Sequence, residues 1–178
     1  SDYSNNYKLS GLIKFDKQFE DFKIKFSRFN PENFIIAAKI NLHDLSLSIP
    51  NLNYFKEKNT KADLDFSIES QKSGYDINRI LYSSRKSKIE LDKIKLNKKL
   101  EIKDIGKIQI KTFTNNIKNN DFNIDRSKKK DVVIYGYLFD AEPLLKSLYR
   151  VDDKKMLSKD FNSEIKVNFD QVITGTND

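Results

Sequence analysis

The chain has no cysteine and no tryptophan, one histidine, five glycines and three prolines in 178 residues. Without cysteine there can be no disulfide, thiolate metal site or thiol nucleophile, and the compartment stays open on that count. Scarce glycine argues against a phosphate-cradling loop, and no nucleophile elbow or two-histidine zinc helix occurs. A lone imidazole, His43, has no second imidazole or metal-ligand spacing around it and reads as a turn residue. There is also no uninterrupted apolar run long enough to span a bilayer, and no signal peptide.

What the chain has in quantity is alternation. Charged residues make up 33% and apolar ones 38%, and they interleave with a period of two, as in Lys88-Ile89-Glu90-Leu91, Ile94-Lys95-Leu96 and Ile108-Gln109-Ile110-Lys111. Successive strand side chains point to opposite faces, so each such run writes one apolar and one charged face. The fold class expected is mainly β: a long, antiparallel, curved meander sheet, forming a groove or an open sandwich, with one short α-helix near 140–150. Strand meanders are expected over 1–70 and 73–139, the helix over 140–151 and a further strand over 160–175.

Along the chain, Tyr7 to Phe15 and Phe22 to Phe26 alternate as two neighbouring strands, Asn30-Pro31-Glu32-Asn33 turns, and Ile36, Ala38, Ile40 and Leu42 share one face. At His43-Asp44 the phase slips, Leu45, Leu47 and Ile49 continue out of step, and Pro50 ends the strand. Residues 51–61 read as a polar connection holding Leu52, Tyr54 and Phe55. Leu64, Phe66 and Ile68 write another strand, Ser73-Gly74 turns the chain, and Tyr75 to Tyr82 suits a helix nearly as well as a strand. Ile89/Leu91, Ile94/Leu96, Leu100/Ile102 and Ile108/Ile110 read as short successive strands. Asn115 to Asn123 reads as a loop. Asp131 to Phe139 reads as the densest strand, apolar on both sides and expected to be covered on both. Asp140 is an N-cap, Glu142 and Pro143 suit a first helical turn, and Leu144, Leu145 and Leu148 form the stripe expected to dock the helix. Beyond a polar stretch from Asp152 to Asp160, Phe161, Ile165, Val167 and Phe169 begin a strand.

The formal net charge of +7 invites an anionic partner, but Lys far outnumbers Arg alongside abundant Asn and Ile, the signature of a compositionally biased genome. Single-strand binders need rings and cations on one face. Here Lys23 and Lys25 alternate with Phe22, Ile24 and Phe26, so the lysines point away from the rings, and no nucleic-acid partner is expected. The clusters Arg85-Lys86-Ser87-Lys88 and Lys128-Lys129-Lys130 sit at strand entries. Asp63/Asp65 alternate about Leu64 and belong to a solvated face, and Asp152/Asp153 lack further ligands. No catalytic residue, cofactor, metal or small-molecule substrate is indicated.

The segment Tyr135-Gly136-Tyr137-Leu138-Phe139-Asp140-Ala141-Glu142-Pro143-Leu144-Leu145, a strand with a glycine running into Asp-Ala-x-Pro-Leu-Leu, resembles a junction of the AsmA-like family of bacterial envelope proteins, the YhdP- and TamB-type repeating β-groove lipid transporters. Ile165 to Gly175 is similar to the strand that follows there. The resemblance covers about the second half of the chain. It implies an internal or C-terminal-region fragment of a longer periplasmic protein, tethered to the inner membrane by a segment missing here, whose apolar groove carries phospholipid between inner and outer membranes. The opening residues Ser1 to Asn5 read as the interior of such a protein.

On this reading phospholipid acyl chains are the partner, and the groove candidates are Ile89, Leu91, Ile94, Leu96, Leu100, Ile102, Ile108, Ile110, Val132 and Ile134. Roughly ten buried methylenes at about 0.8 kcal/mol each would contribute about 8 kcal/mol before ordering costs. The alternative is that the same residues form the core of a closed β-sandwich, a structural, adhesion or interaction module without lipid.

Overall fold

The structure, a computed structural model, describes residues 5–15, 18–126, 131–148 and 163–175. It is mainly β, with one large curved sheet not closed into a barrel and one short helix. Strands β1 (Asn5–Phe15), β2 (Gln18–Arg28) and β3 (Phe34–Asn41) lead to a small excursion holding β4 (Leu47–Ile49), a 3₁₀ turn (Pro50–Leu52) and β5 (Tyr54–Lys56). The chain returns through β6 (Ala62–Gln71), β7 (Gly74–Ser84), β8 (Ser87–Asn97), β9 (Ile102–Asp104), β10 (Lys107–Thr114), β11 (Ile117–Arg126) and β12 (Val132–Asp140). Helix α1 (Glu142–Leu148) and β13 (Ile165–Ile173) complete it. The large sheet runs β1-β2-β3-β6-β7-β8-β10-β11-β12-β13, with β9 attached to β8, while β4 and β5 form a separate two-stranded sheet.

The local chemistry of the turns explains this order. Asn30 Oδ1 accepts the amides of Glu32 and Asn33 at 3.0 and 2.8 Å, closing the β2–β3 turn. Asn115 and Asn116 both take left-handed φ (51° and 65°), the paired geometry that two-residue hairpin loops need and that Asn tolerates. The Asn-rich stretch is therefore not a loop: only Asn115-Asn116 turns, and β11 begins at Ile117. Tyr75 to Tyr82 lies within β7.

Other expectations are also corrected. Ile89/Leu91 and Ile94/Leu96 belong to one strand, β8. Ile77 pairs Ile94 and Arg79 pairs Asp92, so the intervening Asn78 and Lys93 (φ 55°) are an extra residue in each strand. They let both strands change phase while keeping their apolar residues on one side. The sheet is mixed rather than wholly antiparallel, because β13 runs parallel to β12; a parallel neighbour requires a crossover, and α1 lies in it. The strand expected to be covered on both sides is covered only in part on its charged face: Tyr135 and Tyr137 are 39% and 49% exposed there, while Leu138, the partner of Asp121, is 7% exposed. Asp140 Oδ1 caps α1 by accepting the Glu142 amide at 3.1 Å, and of the expected stripe Leu144 and Leu145 are 52% and 37% exposed. The described last strand is Ile165–Ile173. Phe161 and the stretch from Asp152 to Asp160 lie outside the described residues.

Candidate functional site

Cross-strand register places the apolar residues in continuous rows on one face. Phe22, Ile40, Leu64, Tyr82, Ile89, Ile110, Phe122, Gly136 and Phe169 are successive partners from β2 to β13. Beside it, Leu9, Ile24, Ala38, Phe66, Ile80, Leu91, Ile108, Ile124, Ile134 and Val167 cross all ten strands. The opposite face is polar: Ser10, Lys23, Lys39, Asp65, Leu81, Glu90, Gln109, Asn123, Tyr135 and Asn168 form the corresponding row. At about 4.8 Å per strand gap the apolar row is roughly 43 Å long, well beyond the roughly 15 Å depth of one leaflet's hydrocarbon.

The excursion between β3 and β6 roofs the first row. Leu42 and Tyr54 are buried with Ala62, Tyr82, Ile89, Ile110 and Phe122, and Leu45, Leu47, Ile49 and Leu52 pack against them. What reads in sequence as a slipped strand and a polar connection is thus a lid held on the sheet. Three polar fixtures hold it. Asn120, fully buried, donates to Leu52 O at 2.8 Å and Thr112 Oγ1 at 3.0 Å and accepts the Asp140 amide at 3.0 Å; Asn53 Nδ2 adds a bond to Asp140 Oδ2 at 2.9 Å. The Tyr54 and Tyr82 hydroxyls meet at 2.7 Å inside the core, and burial with that bond pushes the Tyr82 hydroxyl's pKa strongly upward. Lys56, 2% exposed, donates to the carbonyls of His43, Leu45 and Glu57; desolvation lowers its pKa, opposed by Glu20 and Asp44. Glu20 accepts the Asp44 amide at 2.6 Å.

A second buried cluster, Ile77, Ile94 and Ile105 with Leu96 and Ile102 beside it, lies on the other side of the Leu9-to-Val167 row. Leu91, Ile108 and Ile124 touch both clusters and stay half-buried. The row ends in exposed residues, Leu9 at 60% and Val167 at 63%. Of the sequence-predicted candidates, Ile89, Leu91, Ile94, Leu96, Ile102, Ile108, Ile110, Val132 and Ile134 share this face, and Ile89, Ile94, Ile110 and Val132 are buried in it. Leu100 does not belong: it sits in the β8–β9 turn with φ 62° and is 65% exposed. Sequence reasoning missed Ile24, Phe66, Ile80, Phe122, Ile124 and Phe169 as members. Phe122 and Ile124 carried the signal, an alternation inside the Asn-rich stretch.

The charged face shows conventional pairing. Lys39 meets Asp65 at 3.2 Å and Arg79 meets Glu90 at 2.8 Å; Lys88 and Arg79 hold the Glu90 carboxyl below the usual range. A hollow of about 420 Å³ opens on this face, lined by Lys23, Lys39, Asp63, Asp65 and Leu81 among others. His43 is exposed in the turn leaving β3. Among the described residues no three or more His, Cys, Asp or Glu side chains converge as a metal site, and no helix is long and apolar enough to cross a membrane. Asp152/Asp153 and Lys128 to Lys130 lie outside the described residues. Comparison with known proteins finds no protein family, curated protein or solved structure that matches the chain.

Proposed function

We propose that the chain is a non-enzymatic lipid-binding groove segment of an AsmA-like envelope protein, carrying phospholipid through the periplasm between inner and outer membranes as part of a membrane-tethered parent. The observation that carries the reading is the Leu9-to-Val167 row: an unbroken apolar track, flanked by two buried clusters and half-buried along its middle, open at both ends. A track of this length suits hydrocarbon rather than a compact apolar ligand. The strand–helix–strand junction with Gly136 and Asp140, on which the family resemblance rests, lies at one end of that track.

A lipid-free structural or interaction module is the second reading, favoured by the roof over the Tyr82 row, which shows that protein can cover part of the face itself. Native mass spectrometry of protein purified from bacteria separates the two. Co-purifying phospholipid, lost in Leu9→Asp and Val167→Asp variants that remain folded by circular dichroism, is expected of the carrier. Protein that is lipid-free as purified and takes up none from phospholipid micelles refutes it.

A further inference from the structure

The β1–β2 hairpin carries exposed apolar side chains on the sheet's largely polar face. Leu12 is 64% exposed and Phe19 55% exposed, and their cross-strand partners are Asp21 and Lys14. Further along the same face Ser10 pairs Lys23 and Lys8 pairs Lys25. Residues on this face of the two strands thus combine two large apolar groups with four lysines, against one acid, Asp21. Of the other acids of the hairpin, Glu20 points to the opposite face and is 3% exposed, bonded to the Asp44 amide, and Asp16, beside Lys17 in the turn, lies outside the described residues. Lys14 already stacks over the Phe19 ring at 5.8 Å, so an ammonium and a ring sit side by side at the hairpin end.

Separated lysines around protruding hydrocarbon match one kind of surface, a bilayer carrying anionic headgroups: the lysines meet phosphate while Leu12 and Phe19 enter the acyl boundary. Single-stranded nucleic acid is a poorer match, because it stacks bases on aromatic platforms and this face of the hairpin offers one ring. We infer that the β1–β2 hairpin docks the protein peripherally on anionic phospholipid bilayers through Leu12, Phe19 and Lys8, Lys14, Lys23 and Lys25. This goes beyond the carrier reading, since docking and groove loading use opposite faces of the sheet and can fail separately.

Since the chain has no tryptophan, Phe19→Trp supplies a single reporter, and Phe29→Trp, at the opposite end of β2 and 52% exposed in the parent residue, a control. With vesicles of equimolar phosphatidylglycerol and phosphatidylcholine, Phe19→Trp emission is expected to shift to the blue and Phe29→Trp emission to stay put. Vesicle co-sedimentation should fall at least about tenfold in Leu12→Ser/Phe19→Ser and about fivefold for each of Lys8→Glu, Lys23→Glu and Lys25→Glu, and should weaken in salt. Absence of sedimentation, equal binding to pure phosphatidylcholine, equal shifts in both reporters, or unchanged binding by the serine variant would each overturn the inference. Binding to single-stranded DNA in preference to vesicles would do the same.

Discussion

Replacing Asn120 by Ala should loosen the roof more than its small volume suggests. The side chain is completely buried and makes three bonds to three different elements: Leu52 O in the excursion, Thr112 Oγ1 in β10 and the Asp140 amide at the β12–α1 junction. Truncation leaves two backbone groups and a hydroxyl without this partner in a site that holds little space for water. Each buried group so orphaned costs about 1–3 kcal/mol. Because Thr112 can rotate its hydroxyl, we count the Leu52 carbonyl and the Asp140 amide in full, which gives about 3 kcal/mol, a large part of a typical folding stability of about 5–15 kcal/mol. Equilibrium denaturation in urea measures the total, and hydrogen exchange resolved to peptides locates it. Amides of residues 42–61 should lose protection first while those of β7 and β8 keep theirs. Asn123→Ala, on the charged face where Asn123 only accepts from Gln109 at 3.2 Å, should cost less than about 1 kcal/mol. An Asn120→Ala protein within about 0.5 kcal/mol of wild type, or one destabilised with residues 42–61 as protected as before, would refute the roof-latch argument.

Two further substitutions test the same architecture. A Cβ at position 136 would lie 2.4 Å from Asp121 O and 2.5 Å from Phe122 Cα, so Gly136→Val must force β11 and β12 apart at their bulge; a loss of about 3 kcal/mol or more is expected in thermal unfolding, and a neutral result would mean the strands are not so closely apposed. Tyr82→Phe deprives the buried Tyr54 hydroxyl of its partner and should cost about 1–2 kcal/mol at neutral pH. It should also change the alkaline limb: with its pKa raised above the ordinary 10.0, Tyr82 contributes stability that is complete below pH 10 and is lost above it, as the unfolded chain ionises and the folded one does not. Denaturation at a series of pH values up to 11 should therefore show a shallower fall in Tyr82→Phe than in wild type.

Most of the sheet is legible in the sequence because, away from a few bulges, its strands obey the period of two on the covered face. Phe22-x-Ile24-x-Phe26 and Ile108-x-Ile110 fix both strand and face from five and three residues. The failures have particular causes. Ile77 and Ile80, or Leu91 and Ile94, are three apart, a helical spacing; in the sheet this is the trace of the extra residues Asn78 and Lys93, matched across the β7–β8 pair. No single strand contains that information, because the compensation lies in the partner. Asn119 and Asn120 look like loop residues by composition, yet each has long-range partners, Asn53 O for the one and Leu52 O for the other. Tyr54 looks exposed in a polar stretch until Tyr82 is placed opposite. Parallel pairing of β13 was illegible for the same reason, since it depends on a crossover rather than on the strand's own residues.

The roof and the open row are two consequences of one imbalance. A sheet crossing ten strands exposes an apolar face too wide for a single short excursion, and residues 42–61 bury Leu42 and Tyr54 over the row that holds Tyr82. Small residues cannot solve this, because Ala38 is the one alanine in the neighbouring row and its partners are Ile24 and Phe66. The chain instead crowds Ile80, Leu91, Ile108 and Ile124 between two clusters, so that the middle of the row is shielded by its neighbours while Leu9 and Val167 at the edge strands are not. Water is least tolerable at those ends, where apolar surface at about 25 cal/mol per Å² remains uncovered. Any lipid, further strand or second protein that relieves the imbalance gains most by starting from an edge, and entry from β1 or β13 along the row is therefore favoured over descent onto its middle.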